Sequence, residues 1–360
     1  MIKVPADAGE ISPEWITEAL KTNGLIRSRV TQVETQTVGQ GVGLMAELTR
    51  LSVSYADEED IPSSMIAKCA ARNENRGIAQ LLDFYNRETN FYNKIGGAHC
   101  PFRVPTSYFG QVEDSTYDMI LLLEDLGDVS PVDQLVGSTE AEAFDKIDRI
   151  AKLHAMYWNR TGDPGNAWMY DFMSVEEGVK LRDLVYGPGL EPAIEKFSSH
   201  FNSETKQVCR EVGKRYVDLM GLVSPSYTFL HGDYRQDNFI YHNESGEVVI
   251  MDWQISGAGH GIFDVTYFIC QSLQPELRRQ IEKPLIERYV ALLKQYGVDD
   301  YEFDTAWRDY RLLILFCLIY PITVCGSLDT ANERGRMLGA TMLDRNLTAV
   351  EELGCAEFLK

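Results

Sequence analysis

Apolar residues along the chain follow two different rhythms. Up to about residue 125 the prevailing repeat is two residues, and beyond it three to four, which separates strands from helices. The first element is helical. Ser12-Pro13-Glu14 supplies an N-cap and a first-turn proline, Trp15, Ile16, Ala19 and Leu20 form one apolar stripe, and Asn23-Gly24 ends it. Residues 30–38, 47–55 and 64–70 then alternate as strands, with Gly39-Gln40-Gly41-Val42-Gly43 between the first two. Residues 78–95 return to helical spacing, with Leu81, Phe84, Tyr85, Phe91, Tyr92 and Ile95 on one face. Strands are expected at 102–109 and 119–123. A strong amphipathic helix follows at 139–159, carrying Phe144, Ile147, Ile150, Ala151, His154 and Trp158 on one face, and 168–227 reads as interrupted helix. Short strands are expected at 228–230, 239–241 and 248–251, and helices at 285–296, 307–320 and 336–353. The pattern predicts an α+β protein of two parts: a small antiparallel sheet with one central helix over 1–125, and a mostly helical part over 126–360.

Two charges break the pattern. Lys68 is the one charge in the apolar strand 64–70. An isolated lysine there either snorkels from a sheet edge or meets a buried partner. Glu88 sits in the middle of the apolar face of the 78–95 helix, where a carboxylate without a partner is costly. Each charge is the natural partner of the other, so a Lys68–Glu88 ion pair is expected.

Residues 228–254, TFLHGDYRQDNFIYHNESGEVVIMDWQ, hold the densest chemistry. They read as strand, polar loop, strand, turn, strand. A turn centred on Ser245 would set Asn238 opposite Asp252 on paired strands, with Cβ atoms about 5 Å apart. An amide oxygen and a carboxylate that close can share a hard cation, Mg²⁺ being the usual one beside phosphates. Asp233, on the preceding loop, is near that pair and free to accept a proton. His154 on its apolar face reads as a satisfied core histidine, and Asp264, just before a helix start, as an anchor for the loop.

Composition narrows the partners. The chain is 44% hydrophobic and 24% charged with a net charge of −20. Such acidity argues against nucleic acid, which needs a basic footprint, and by its long-range field mildly favours neutral or cationic ligands. Seven widely spaced cysteines with no C-x-x-C suggest reduced thiols in a cytoplasmic protein, without a zinc framework. The most apolar run, residues 312–324, is short for a bilayer span and contains Pro321, so it reads as a buried helix and no membrane association is expected. Oligomeric state is not legible.

HGDYRQDN followed by MDW resembles the catalytic loop and metal motif of the aminoglycoside phosphotransferase and choline kinase superfamily, and within it most resembles the ecdysteroid-kinase-like branch. The resemblance covers nearly the whole chain in order and is tight over 229–254. It implies a bilobal protein-kinase-like fold and transfer of the ATP γ-phosphate to a hydroxyl of a small molecule. By the same likeness Asp233 orients the hydroxyl and takes its proton, while Asn238 and Asp252 hold Mg²⁺. Lys68, set by Glu88, grips the α/β-phosphates. Gly39, Gly41 and Gly43 cover the phosphates, Arg235 stabilises the transferring charge, and the backbone around Leu123, Glu124 and Leu126 meets adenine. The acceptor stays open among aminoglycoside, choline and hydroxyacyl-CoA types, as does ATP against GTP. A catalytically silent relative that only binds ligand is the alternative.

Overall fold

The computed structural model describes residues 2–38, 45–73, 76–326 and 333–360. The chain divides into two compact units, one of residues 1–130 with 240–255, the other of 131–239 with 256–360. The first unit therefore includes a hairpin segment beyond the single cut expected at 125. The expected glycine contacts at Gly39, Gly41 and Gly43 lie outside the described residues.

In the first unit, helix α1 (Pro13–Thr22) starts where Ser12 accepts from the Trp15 N–H at 3.2 Å. Strands β1 (Val30–Val38), β2 (Ala46–Tyr55), β3 (Ser64–Ala70), β4 (Ser107–Val112) and β5 (Met119–Glu124) form an antiparallel sheet ordered β1-β2-β3-β5-β4. The period-two rule sends Met65, Ala67 and Cys69 of β3 into a core shared with Ile16 and Leu20 of α1. Lys68 then belongs to the opposite face, aligned with Leu48 and Leu121. Because β3 is the middle strand, escape of Lys68 over a sheet edge is closed.

The single helix expected over 78–95 is two, α2 (Arg76–Leu81) and α3 (Phe84–Lys94). Asp83 between them is left-handed at φ 56° and accepts from Asn86 and the Tyr117 hydroxyl, so it breaks the ladder. Glu88 is buried on α3, and Arg87 beside it is buried too. Its guanidinium donates to the Leu82 and Ile255 carbonyls. The strand expected at 102–109 starts later, at Ser107.

The hairpin over 240–255 departs from the expected register. Its strands are Phe239–His242 and Val248–Ile250. The His242 N–H donates to the Glu247 carbonyl at 2.9 Å, whereas a turn centred on Ser245 would pair Glu247 with Asn243. Four residues close the turn, the last being Gly246 at φ 68°. Neither metal candidate lies in a strand: Asn238 ends a 3₁₀ turn, and Asp252 follows the second strand with φ 62°. The strand-pairing argument for those two residues fails for that reason. Trp253 next to Asp252 is fully buried and stacks face to face on Phe91 of α3, ring centroids 3.7 Å apart and 4° from parallel.

The second unit is mainly helical. Thr139 and Glu142 form a reciprocal capping box that starts α4 (Glu140–Tyr157). The glycines at 257 and 259 lie in a strand, Gly257–His260, paired antiparallel with Tyr227–Leu230. A Cβ on Gly259 would come within 2.7 Å of Leu230 and 2.9 Å of Met173, so tight packing is what requires glycine there. Helix Ile262–Ser272 is buried along its whole length. Phe303–Gly326 is the one stretch among the described residues apolar and long enough to cross a bilayer, and it is two helices with two-thirds of its apolar window buried in the fold. The seven cysteines are unbridged, and all but Cys100 are buried.

Lys146 of α4 is fully buried. Its ammonium donates to Gln236 at 2.9 Å and Ser138 at 3.1 Å and lies 4.8 Å from the Phe239 ring. Burial pushes its pKa down to about 8.

Two outcomes are expected. Trp253→Ala destabilises the protein by about 3–5 kcal/mol in a denaturant titration, the cost of an emptied aromatic site. For Lys146, the unfolded chain binds the proton more tightly than the folded one, so the cost of the buried charge is fully present below pH 8. That cost is relieved as pH rises toward the free-lysine value of about 10.4. Urea unfolding of the wild type should therefore show stability rising between about pH 8 and 10.4, relative to Lys146→Met, by a few kcal/mol in order of magnitude.

Candidate active site

Within the first unit three of the expected residues meet. The Lys68 ammonium donates to Glu88 at 2.7 Å and to Asp252 at 3.1 Å. Burial alone would lower the lysine's pKa, but the Asp252 and Glu88 charges outweigh it and leave it raised. Burial, with the Asp252 charge, pushes the Glu88 carboxyl up while Lys68 pulls it back. The second Glu88 oxygen is buried with no hydrogen-bond partner. The Lys68–Glu88 pair holds its place through the Phe91–Trp253 stack, which joins the helix of Glu88 to the neighbour of Asp252.

The segment named for adenine is partly committed. The Glu124 N–H donates to Thr106, and its carboxylate accepts from Arg103 at 2.5 Å and from the Thr106 N–H at 3.0 Å. Leu123 is buried in β5, opposite Ile66 and Ser107. The Leu126 backbone enters none of these bonds.

Within the second unit, residues 231–238 are pinned from several sides. Asp264 accepts from the His231 N–H at 2.7 Å and the Gly232 N–H at 2.9 Å, and its carboxylate also meets His154 Nε2 at 3.2 Å. A carboxylate only accepts, so His154 carries its proton on Nε2, and its Nδ1 faces the Tyr289 hydroxyl at 2.8 Å. Gly232 has φ 81°, a conformation that side-chain-bearing residues rarely adopt, and its carbonyl accepts from the Tyr320 hydroxyl. The Asp233 N–H donates to His231 Nδ1 at 3.2 Å.

Asp233, Arg235 and Asn238 then converge. Asn238 Nδ2 donates twice to Asp233, to its carbonyl at 2.7 Å and to Oδ2 at 3.0 Å. Both amide hydrogens point at Asp233, which leaves the Asn238 oxygen, the atom a hard cation would take, outside these bonds. Arg235 Nε donates to Asp233 Oδ1 at 3.1 Å, and its Nη1 to Asp237 Oδ2 at 2.9 Å. Burial opposes the guanidinium's charge, but the neighbouring Asp233 and Asp237 hold it firmly protonated.

Sequence reasoning missed Asp237, Lys146 and Tyr320. Lys146 had a readable signal, since it lies three residues after Ala143 and four before Ile150 on the buried face. Asp237 and Tyr320 had none, because their partners are a guanidinium two residues away and a backbone carbonyl from a distant segment.

Comparison with known proteins agrees with this fold. Choline kinase from Cryptosporidium parvum Iowa II shares the fold with TM-score 0.53 at 14% identity, over 90% of this chain and 91% of that one. The GDP complex of an aminoglycoside 2'-phosphotransferase does so with TM-score 0.52 at 12% identity, over 93% and 97%. The fold is thus protein-kinase-like, an antiparallel sheet part and a helical part. In sequence, acyl-CoA dehydrogenase family member 10 of Mus musculus is 27% identical over 128 residues, which are 31% of this chain and only 12% of that much longer protein. The model of the ecdysteroid kinase-like family matches residues 40–298, a span that contains the strand lysine, the helix glutamate and the whole His-Gly-Asp loop, and the chain belongs to that family.

Proposed function

We propose that the protein is an ATP-dependent phosphotransferase that moves the γ-phosphate to a hydroxyl of a small molecule in the cytoplasm. The observation that carries this reading is the buried Lys68 ammonium, fixed by Glu88 and Asp252 in the middle strand of the sheet. A structural lysine has no need of that position, whereas a nucleotide's α/β-phosphates do. Asp252 and Asn238 are the Mg²⁺ ligands in this reading. The ion, when bound, supplies positive charge to the phosphate oxygens.

The protein's own residues do the rest. Asp233 orients the acceptor hydroxyl and takes its proton as the oxygen bonds to the γ-phosphorus and the bond to the β–γ bridging oxygen breaks. Arg235 uses two of its donors on Asp233 and Asp237, and in this reading turns the others to the transferring charge. Gly39, Gly41 and Gly43 cover the phosphates, and the backbone at 123–126, chiefly Leu126, meets the base. Six buried unbridged thiols and Cys100 fit a reducing compartment. The acceptor belongs to the class of small alcohols. Choline and aminoglycosides, named for the structural neighbours, are the first to try, with sterols and hydroxyacyl thioesters after them.

The test is γ-phosphoryl transfer from Mg-ATP and Mg-GTP across such a panel. The expected outcome is turnover with at least one hydroxyl compound, reduced by about 10²–10⁴-fold in Asp233→Asn as for loss of a general base. Lys68→Met should weaken nucleotide binding in calorimetry. Nucleotide binding without turnover on any acceptor would favour a silent binding module, and no binding of Mg-nucleotide at all would overturn both.

A further inference from the structure

Asp237 takes no part in the reaction described above, yet its place is closely specified. One of its oxygens accepts from the Gln134 N–H at 2.9 Å, the other from Arg235 Nη1 at 2.9 Å. Gln134 is itself held on two sides. It is fully buried, its side-chain amide donates to the Gln271 carbonyl at 2.7 Å, and its own carbonyl accepts from Arg345 at 2.8 Å. Asp237 is thus a fixed carboxylate that holds one arm of a guanidinium.

The other arm reaches Asp233. A guanidinium facing a single carboxylate prefers a fork that covers both oxygens with two parallel N–H bonds. Arg235 does not adopt it. Nε alone reaches Asp233, at 3.1 Å to Oδ1 and 3.4 Å to Oδ2, while Nη1 is diverted to Asp237. An ionised carboxylate has about four acceptor positions. Arg235 and the Asn238 amide draw on part of that set, and the remainder is what an incoming hydroxyl can use. If Arg235 swung into the full fork, that remainder would shrink and the guanidinium would stand over the oxygen that accepts the proton.

We infer that Asp237 is a positioning residue: by holding Arg235 to a one-edge contact it keeps Asp233 open to the acceptor hydroxyl. This rests on the reading of Asp233 as the group that takes the hydroxyl proton. It predicts a defect in turnover without one in nucleotide binding, and a defect that exists only while Arg235 is present to misplace.

The test uses the full chain and acceptor-free transfer from Mg-ATP to water. Asp237→Asn keeps an oxygen for the Gln134 N–H and is the conservative variant; Asp237→Ala is the stronger one. Both should lower kcat by roughly 10–100-fold, the scale of a misplaced catalytic group, with KM for Mg-ATP within about twofold. In an Arg235→Met background, adding Asp237→Ala should cost less than about threefold more, because the two residues act as a unit. A crystal structure of Asp237→Asn should show Arg235 forked over both Asp233 oxygens. Wild-type kcat in Asp237→Asn, equal losses with and without Arg235, or an unmoved Arg235 would each overturn the inference. Asp233→Asn in the same assay separates the two levels. If it retains wild-type turnover, the reading of Asp233 falls. If it abolishes turnover while Asp237→Asn does not, only the role of Asp237 falls.

Discussion

A charge in an apolar interior must be matched there or not exist, and much of the first unit follows from that constraint at Lys68. The lysine occupies the middle strand of an antiparallel sheet, so no edge lets it reach water. One face of the sheet is closed by α1, and the other has to supply the counter-charges. Glu88 comes from a helix and Asp252 from the end of a hairpin, and the face-to-face contact of Phe91 with Trp253 locks those two sources to each other. Placing a cation in the sheet thereby dictates where a helix and a hairpin must pack.

The second unit solves a different problem, how to hold a polar loop without letting it wander. Its answer is redundancy. Residues 231–238 are tied by Asp264 at their start, by Tyr320 at Gly232, by Lys146 through Gln236, and by Gln134 at Asp237. The partners come from separate helices and from the segment before α4. Buried hydrogen bonds of this kind hold a site in place, although among the described residues Gln236 Nε2 and Gln134 Oε1 have no partner, and the low local dielectric makes each missing bond expensive.

How much of this the chain announces depends on the range of the interaction. Periodicity reports burial, so the strands with Lys68 and the helix face with Glu88 could be read directly, and their pairing followed from the cost of unpaired charge. The His-Gly-Asp loop was legible because its spacing is dense. Features set by one local dihedral were not. Asp83 splits a helix that apolar spacing shows as continuous, and the four-residue turn ending at Gly246 moves the register away from one centred on Ser245. Composition cannot distinguish a glycine that bends the chain from one, like Gly259, that makes room for Leu230 and Met173. Arg87 is buried beside Glu88, where the Leu82 and Ile255 carbonyls accept its guanidinium, and no spacing along the chain reports those partners.

The carboxylate of Asp264 has a consequence for timing. It gathers a helix histidine and two consecutive loop amides, and the histidine is oriented in turn by a tyrosine from a later helix. All of these bonds form when the chain folds, and none needs a ligand. The entropy of ordering the loop is therefore spent during folding rather than on ligand binding.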